Sequence, residues 1–586
     1  MRAFKTGRVL IGELSGWLNL LSTMAIIVLF AQLVSLQPTL AQEADALQPG
    51  EGFITRFSGA IQQDGETVIN TGGTAGSIVD LRTPGGPPRG EHWWDEPQRA
   101  SVTAAQVGQV FGVAIDDDGN VYLTATAAFG LHRNAENTGW MPGMWGQDGG
   151  PGTVYRLDAA QNYVPSPLTS ITLNGRENSG PALGNIAYDR WNRQLLVSDL
   201  ETGMIHRIST TDGSELGRYD HGVQGRANFT DAANGTAQSL PQVPFDTGSA
   251  ARTADCPGGA LAATPACWNV ADFRRRVWGL GVHRDETSGQ VRLYYSIWGS
   301  QGFGNPDWAG AGDEQKNTVW SIALSQDGDF DATSVRREFT LPEFFTRPED
   351  TVRNGLSHPV TDIAFPAQSG ANTMILAERG GLRNLGLNSE NAFAEPHGAR
   401  ALRYELQADG TWRNSGRYDI GYYDRRTEGQ PYIRANSSGG ASFGYGYTGA
   451  HEADPAKPDQ WIWLTGDSLC SLDGLCFDSS ANEHTDASQV HGAQGTDQAN
   501  ISEVLPEAAL RAYPDTGYAT PAETANRSAM VDADRNVDEN GNAIEDELFR
   551  NDATRIGDIE IFQPRPAQPG QGVAGWTPPA DRLPVP

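Results

Sequence analysis

The chain has 586 residues, of which 38% are hydrophobic and 20% are charged, with 69 glycines and 34 prolines. This composition is typical of a turn-rich β protein with a core, and it argues against a long-helix or wholly disordered chain. The formal net charge of −29 repels phosphate backbones and anionic lipid heads, so we expect no nucleic-acid partner.

The first 41 residues predict an export signal. Three basic side chains, Arg2, Lys5 and Arg8, precede an apolar stretch from Trp17 to Leu36, and residues 39–41 offer a cleavage site with small residues. The apolar stretch is long for a signal core, so an uncleaved membrane anchor is the alternative. Both interpretations place the remainder outside the cytoplasm, as a periplasmic, secreted or cell-surface protein.

A hairpin pattern recurs along the chain, in which an apolar strand with small residues, a polar turn and a second apolar strand follow one another. Four copies begin at Val110, Leu183, Val277 and Val360, and a weaker fifth begins at Gly440. A third short strand follows most copies. Three such strands make most of a propeller blade.

In the third-strand pattern two apolar residues flank a pair of residues, and one of that pair is often Arg. Its copies are Ile54–Phe57, Val154–Leu157, Ile205–Ile208, Val319–Ile322, Ala401–Tyr404 and Ile559–Phe562. The strand at Ile54 has no hairpin of its own before it. We therefore predict that it pairs with the late strand at Ile559 and closes the ring as a clasp, which removes exposed sheet edges.

The predicted fold is all-β, a single β-propeller of about six four-stranded blades over residues 50–563. Two long insertions, at about 219–276 and 476–555, interrupt the blades, and a Pro-rich tail or linker covers 564–586.

The segments Asp116–Leu123 and Leu196–Ile208 resemble the blade repeats of secreted propellers of the NHL and gluconolactonase type. The resemblance concerns architecture, and propellers of this kind include enzymes as well as binding scaffolds. It implies a divalent metal held by Glu, Asn and Asp at the inner rim of the channel.

Channel residues follow from the alignment of the hairpin copies. Asn185 and Asp362 stand at equivalent inner-strand positions, at which two other copies have glycine, and Asp199 and Glu378 end the second strands. Oxygen ligands of this kind suit Ca²⁺ or another divalent cation, which could polarise a lactone or ester carbonyl. The alternative is that these side chains satisfy buried backbone groups.

A second candidate calcium site is an acidic loop with alternating oxygen ligands. Its spacing resembles an EF-hand loop without clear flanking helices, and its ligands would be Asn536, Asp538, Asn540, Asn542 and Glu547. We expect a structural ion in this loop, and a solvated acidic loop is the alternative.

The cysteines form two close pairs, Cys256 with Cys267 and Cys470 with Cys476. In an exported chain such pairs predict two local disulfides. Among the histidines, His283 and His397 are weak candidates for a general base, because no hydrolase nucleophile motif accompanies them.

The sequence favours an exported, non-catalytic binding or cell-surface module whose partner is an extracellular ligand, glycan or protein. The alternative is a divalent-metal-dependent hydrolase or lactonase with its site in the central channel. A lyase or quinone-dependent dehydrogenase is a third interpretation, since propellers host both.

Overall fold

The computed structural model of the chain describes residues 46–84, 98–129, 133–134, 138–173, 175–245, 264, 267–380, 398–421, 434–448, 452–469, 490–512, 528–533 and 555–565. Within these ranges the protein is all-β, with a few short helices in its loops. The predicted export segment and all but the first two residues of the Pro-rich tail lie outside them. No helix in the described ranges is long and apolar enough to span a bilayer.

Six antiparallel sheets, which we call blades 1 to 6, each contribute four strands from the centre of the molecule outward. From inner to outer, blade 1 has the strands Ile556–Ile561, Glu51–Arg56, Thr74–Asp80 and Gln98–Thr103, and blade 2 has Val110–Ile115, Val121–Ala125, Thr153–Leu157 and Pro165–Ser170. Blade 3 has Leu183–Asp189, Gln194–Asp199, Met204–Ser209 and Glu215–Asp220, and blade 4 has Val277–Arg284, Val291–Ile297, Thr318–Leu324 and Phe330–Thr340. Blade 5 has Val360–Ala364, Thr373–Glu378, Ala401–Leu406 and Trp412–Tyr418, and blade 6 has Ser437–Gly444, Trp461–Leu469, Val490–Asp497 and Ser528–Asp532. The inner strands neighbour one another in a closed ring. The predicted six-bladed propeller is confirmed.

The predicted clasp is also confirmed. Blade 1 combines the late strand Ile556–Ile561 with three early strands, and Ile54 pairs directly with Ile559. The late strand is the innermost strand of its blade, so the ring closes beside the central channel.

Smaller elements decorate this ring. Blade 4 is extended at its outer edge by Phe229–Asp231 and Thr236–Gln238, and two small hairpins are formed by Ala60–Gln63 with Glu66–Ile69 and by Gly446–Tyr447 with Ala453–Asp454. The helical segments are Ala104–Val107, Ala159–Gln161, His221–Gly225, Trp308–Gly310, Gly312–Gln315, Pro348–Asn354 and Glu507–Ala512. The expected insertions therefore hold strands as well, because blade 6 takes its two outer strands from residues 490–532 and blade 4 its extension from residues 229–238.

Polar turns explain why the inner hairpins form where the sequence predicts them. Asp116 Oδ1 accepts hydrogen bonds from the backbone N–H groups of Asp118 at 3.0 Å and Asn120 at 2.9 Å. Asp189 Oδ1 accepts in the same way from Trp191 at 3.0 Å. Side-chain caps of this kind stabilise the turn locally, while the apolar strands on either side are buried between blades.

A ring of hydroxyl groups ties each blade to the next. At every junction a Ser or Thr hydroxyl donates to a backbone carbonyl of the following inner strand. The six bonds are Thr55 to Phe111 at 2.6 Å, Thr124 to Gly184 at 2.6 Å, Ser198 to Trp278 at 2.8 Å, Ser296 to Val360 at 2.8 Å, Thr361 to Gly439 at 2.8 Å and Thr465 to Gly557 at 2.7 Å. Five of these hydroxyls belong to second strands. In blade 5 the matching second-strand residue is Ala377, and Thr361 of the inner strand supplies the hydroxyl instead.

The two glycines of the matched inner-strand position are required by close packing. A Cβ atom on Gly112 would lie 2.8 Å from the carbonyl oxygen of Gly184, and one on Gly279 would lie 2.8 Å from the backbone nitrogen of Asp362. Inner strands thus approach too closely at these points for any side chain. This explains why the position carries a polar side chain in some blades and none in others.

Candidate functional site

Three polar side chains meet in the central channel. Asn185 Nδ2 donates to Asp558 Oδ2 at 3.1 Å, and the carboxyl of Asp362 lies beside both side chains. All three are buried, with exposed fractions of 1% for Asn185 and 8% for Asp362. We call this group the channel hub (Asn185, Asp362 and Asp558).

Each hub side chain also binds the backbone of a neighbouring inner strand. The donors are the N–H groups of Val113 to Asp558 at 3.1 Å, Leu280 to Asn185 at 3.0 Å and Ala441 to Asp362 at 2.9 Å. The hub residues belong to blades 3, 5 and 1, and their donors belong to blades 2, 4 and 6. The hub therefore connects all six inner strands.

The hub carboxyls hold protons more tightly than ordinary carboxyls. Burial raises the pKa of Asp362, and burial together with the neighbouring Asp362 charge raises the pKa of Asp558. Burial and Asp362 also raise the pKa of Glu560, to about 8. Since two carboxylates in one dry site repel each other, the Asp362 and Asp558 pair favours a state in which one of the two carboxyls holds a proton.

Asp362 and Glu560 form part of the wall of a cavity of about 120 Å³ in the channel. The cavity lies toward the face of the propeller at which the inner strands end, since Ile115, Ala364 and Phe443 also line it. Apolar residues are the majority of its lining, and Tyr188, Arg190 and Ser442 add polar groups to these two carboxyls.

The structure brings together two of the four predicted channel ligands. Asn185 and Asp362 meet in the hub, but Asp199 and Glu378 bind partners elsewhere. Asp199 Oδ2 accepts from the Thr202 hydroxyl at 2.8 Å. Glu378 forms a buried two-point ion pair with Arg400, at 2.9 Å from Nε and 2.7 Å from Nη2. Across the described ranges, no group of three or more His, Cys, Asp or Glu side chains is placed to hold a metal ion.

The other predicted site residues fall into two groups. His283 is buried near the end of the inner strand of blade 4, where Nε2 lies 3.0 Å from Asn372 Oδ1 and the ring stacks on Phe365 at 4.8 Å. Burial lowers the pKa of His283. The remaining candidates lie outside the described residues: His397, Asn536, Asp538, Asn540, Asn542, Glu547, Cys256, Cys470 and Cys476.

Cys267 is the one predicted cysteine within the described ranges. It is half-buried and packs against a cluster of aromatic side chains. Its pairing with Cys256, and that of Cys470 with Cys476, remain predictions.

That aromatic cluster lies at the face where the inner strands begin, which we call the loop face. Its ring members are Phe57, Phe111, Phe129, Trp268, Trp278, Trp298 and Phe303. The guanidinium of Arg379 lies 4.4 Å from the ring centre of Phe129 and donates to the carbonyl oxygens of Ser438 and Ile556. Burial lowers the pKa of Arg379 to about 9, so the group remains charged at neutral pH.

A second cavity, of about 410 Å³, opens on the loop face between blades 3 and 4. Glu201 follows the second strand of blade 3, residues 302–307 follow the second strand of blade 4, and residues 269–276 lead into the inner strand of blade 4. We call it the loop-face cavity. Its wall combines the aromatic ring of Phe303 with carboxylates and three consecutive arginines, Arg274 to Arg276.

Two residues of this wall adopt left-handed backbone conformations. Asn269 has φ of 53° and Phe303 has φ of 46°. Asn tolerates this region, but a bulky aromatic residue there is strained by roughly 1–3 kcal/mol. The packing of the Phe303 ring between Trp298, at 5.2 Å, and Trp268, at 5.4 Å, compensates this strain. Strained residues concentrate at binding and active sites, which marks this cavity as a candidate site.

Sequence reasoning missed both Asp558 and the loop-face cavity. Asp558 could have been found, because Ile556-Gly-Asp-Ile matches the inner-strand copy Val360-Thr-Asp-Ile, with Asp558 in the place of Asp362. The three arginines before Val277 were a visible signal of charge, although their environment depends on loops distant in sequence.

No protein-family model matches the chain, and no curated protein matches it. Among solved structures, a chain of a nidogen–laminin complex is similar at 11% identity and a TM-score of 0.32, covering 88% of this chain and 100% of that one. A candidate 6-phosphogluconolactonase from Bacteroides uniformis is similar at 9% identity and a TM-score of 0.30, covering 77% and 93%. A hypothetical selenium-binding protein from Sulfolobus tokodaii is similar at 9% identity and a TM-score of 0.32, covering 74% and 85%. At these values the likenesses bear on neither ligand nor reaction, and the resemblance to the NHL and gluconolactonase type remains a prediction.

Proposed function

We propose that the chain is an exported, non-catalytic binding module that holds a small ligand in the loop-face cavity. The observation that supports it is the contrast between the two polar regions of the propeller. In the channel hub, every side chain is hydrogen-bonded to an inner strand. The loop-face cavity is instead open, and polar and aromatic side chains converge on it.

The hub side chains already make hydrogen bonds that stabilise the ring of inner strands. Recruiting Asp558 or Asn185 to a substrate would leave a buried N–H group of a neighbouring inner strand without an acceptor, at a cost of about 1–3 kcal/mol. A ligand in the loop-face cavity would not displace these hydrogen bonds. The cavity volume of about 410 Å³ is within the range of small-molecule sites.

The proposal of export rests on the N-terminal pattern, in which basic residues precede an apolar stretch and a small-residue cleavage site. Cell fractionation with N-terminal sequencing of the mature chain tests it. A chain that starts at residue 42 in the periplasm or medium supports the proposal, and an intact chain in the cytoplasm contradicts it.

The binding function is tested by screening the mature chain against immobilised glycans and a metabolite library, with thermal unfolding as the second readout. Pro306→Trp places an indole at the exposed rim of the cavity. Pro167→Trp, on the exposed outer strand of blade 2, is the matched control. A ligand that binds the control but not Pro306→Trp supports the proposal. Ligands whose affinity is changed by neither substitution contradict it.

A metal-dependent hydrolase or lactonase is the second candidate, favoured by the meeting of Asn185 with Asp362 beside the channel cavity of about 120 Å³. It is tested by the calcium and transition-metal content of the purified chain and by lactone hydrolysis before and after chelation. Stoichiometric metal that is lost in Asp362→Ala, together with chelator-sensitive turnover, would replace the binding proposal. Metal lost only in Asp538→Ala would indicate a structural ion in the acidic loop.

A further inference from the structure

The ionised groups around the loop-face cavity are almost all paired with an opposite charge. Asp272 accepts two hydrogen bonds from Arg274, from Nε and Nη2, each at 2.8 Å. Arg275 Nη2 donates to Asp220 at 2.8 Å, outside the cavity. Burial raises the pKa of Asp272, but the bonds from Arg274 outweigh it and leave that pKa lowered.

The buried carboxylate of the cavity wall is satisfied by its own surroundings. Glu201 accepts from the backbone N–H of Ser179 at 2.7 Å and of Gly180 at 3.2 Å, and its Oε1 lies 3.4 Å from Arg176 Nη2. Burial and the neighbouring Asp199 charge raise the pKa of Glu201, and the groups that bind it lie outside the cavity wall.

Arg276 is the exception. Its guanidinium donates to the carbonyl oxygens of Ala271 at 2.9 Å and Gln301 at 2.6 Å, and it lies 4.9 Å from the ring centre of Phe303. Only 2% of the residue is exposed, yet it contributes to the cavity wall. In the described part of the chain no carboxylate lies within ion-pair distance of it, and Asp272 acts on it only through a longer-range charge interaction.

A buried guanidinium without a counter-charge is expensive, because carbonyl dipoles and ring faces compensate only part of its lost hydration. Burial lowers the pKa of Arg276 to about 9 for this reason, and the group is still protonated at neutral pH. An anion that enters the cavity would supply the missing charge in a site from which water is partly excluded.

We propose that the loop-face cavity binds a small oxyanion, a carboxylate or a phosphate group, through Arg276, with Arg274 at its rim. The assignment rests on the proposed binding function and names the chemistry of its ligand. Guanidinium groups match the planar, two-oxygen geometry of such anions. The Phe303 ring beside Arg276 offers an apolar surface for the remainder of the ligand.

A substitution of Asp307 should change anion binding in the direction opposite to a substitution of Arg274. Its carboxylate is 66% exposed at the cavity rim, 3.4 Å from Arg274 Nη2. Removing this negative charge should strengthen anion binding about threefold, whereas Arg274→Gln should weaken it by a similar factor. Asp313→Asn, a charge removal at an 89%-exposed side chain outside the cavity wall, is the matched control.

The experiment is isothermal titration calorimetry of the mature chain with glucuronate, glucose and inorganic phosphate at constant ionic strength. We expect glucuronate, phosphate or both to bind and glucose to bind at least tenfold more weakly. Preference between the two anions identifies the oxyanion. Arg276→Lys should weaken anion binding more than Arg274→Gln does. If Arg276→Lys fails to fold, the effect of Asp307→Asn on binding still tests the inference.

Three results would overturn the inference: equal binding of glucose and glucuronate, no response to Arg274→Gln and Asp307→Asn, or no binding of either anion at millimolar concentration. The proposed function fails separately. A neutral ligand displaced by Pro306→Trp would leave the binding module in place and remove only the oxyanion assignment.

Discussion

Asn185 in blade 3 donates to Asp558 in blade 1 at 3.1 Å, across 373 residues of sequence. The same amide side chain accepts from the backbone of Leu280 in blade 4. One residue thus joins three inner strands, and with Asp362 and Asp558 it completes a connection among all six blades. The polar centre of the propeller is part of what holds the ring closed.

Asn185→Ala should destabilise the protein by about 2–4 kcal/mol, because it leaves the buried N–H of Leu280 without an acceptor and removes a donor to Asp558. Urea unfolding followed by tryptophan fluorescence measures the loss. Asn234→Ala is the control, since Asn234 is exposed in a hairpin turn and should change stability by less than about 1 kcal/mol. Equal losses in the two variants would contradict a structural hub.

Asp362→Asn should flatten the dependence of stability on pH. The pKa of Asp362 is raised to about 7 by burial, whereas the pKa of an unfolded Asp is about 3.9. Between these values the folded state binds more protons than the unfolded state, so stability falls as pH rises. Asparagine cannot ionise and resembles the protonated acid. The free energy of unfolding of Asp362→Asn should therefore increase relative to that of the natural protein as the pH rises from 5 to 8.

Urea unfolding midpoints at pH 5, 6, 7 and 8 test this expectation. Asp409→Asn is the control, because the Asp409 carboxyl is exposed and hydrogen bonds from Thr411 lower its pKa. Parallel pH profiles for the natural protein and Asp362→Asn would show that Asp362 is not protonated more readily in the folded state.

Much of the architecture could be predicted from the sequence because blade repeats are local. Each inner hairpin has its own apolar strands and its own polar turn, so the copies at Val110 and Leu183 are recognisable without tertiary information. The clasp followed from one unpaired early strand and one late strand. Asn185 and Asp362 were found together for the same reason, since equivalent positions of the repeats face the same axis.

The remainder depended on contacts that the repeats do not encode. Asp558 was overlooked because its strand was aligned with the third-strand pattern, and its place as an inner strand appears only when the ring is closed. Arg276 looks like one of three ordinary charges in sequence. Its lack of a counter-charge arises from the carbonyl oxygens of Ala271 and Gln301, which loop packing places around it.

Removing the late strand should open the ring. A chain that ends at Arg555 loses the inner strand Ile556–Ile561 and with it Asp558, so we expect loss of cooperative thermal unfolding. A chain that ends at Arg565 keeps this strand and should unfold as the full chain does. Cooperative unfolding of the shorter chain at an unchanged temperature would contradict the clasp.

Ser296→Ala should cost about 1–3 kcal/mol, because the hydroxyl donates to Val360 O at 2.8 Å and accepts from Gly279 N at 2.9 Å. Thr361→Val removes the corresponding hydroxyl of blade 5 and should have a comparable effect. Ser288→Ala, in an exposed turn of blade 4, is the matched control for urea unfolding. A hydroxyl ring without energetic weight would give all three variants the same midpoint.

Gly279→Ala should destabilise the propeller by about 2 kcal/mol or more. The added methyl group would lie 2.8 Å from the backbone nitrogen of Asp362 and 2.9 Å from the carbonyl oxygen of Val360, and backbone atoms of a packed inner strand cannot move aside cheaply. Because Asp362 belongs to the channel hub, the displacement should also disturb the pH dependence described for that residue.

Gly310→Ala is the matched control, since a Cβ atom there meets no atom within 4 Å. It should leave stability unchanged or raise it slightly, because alanine restricts the unfolded chain more than glycine does. Thermal and urea unfolding of the two variants give the comparison. If Gly279→Ala were tolerated as well as Gly310→Ala, the inner strands of blades 4 and 5 would have to lie farther apart than the structure places them.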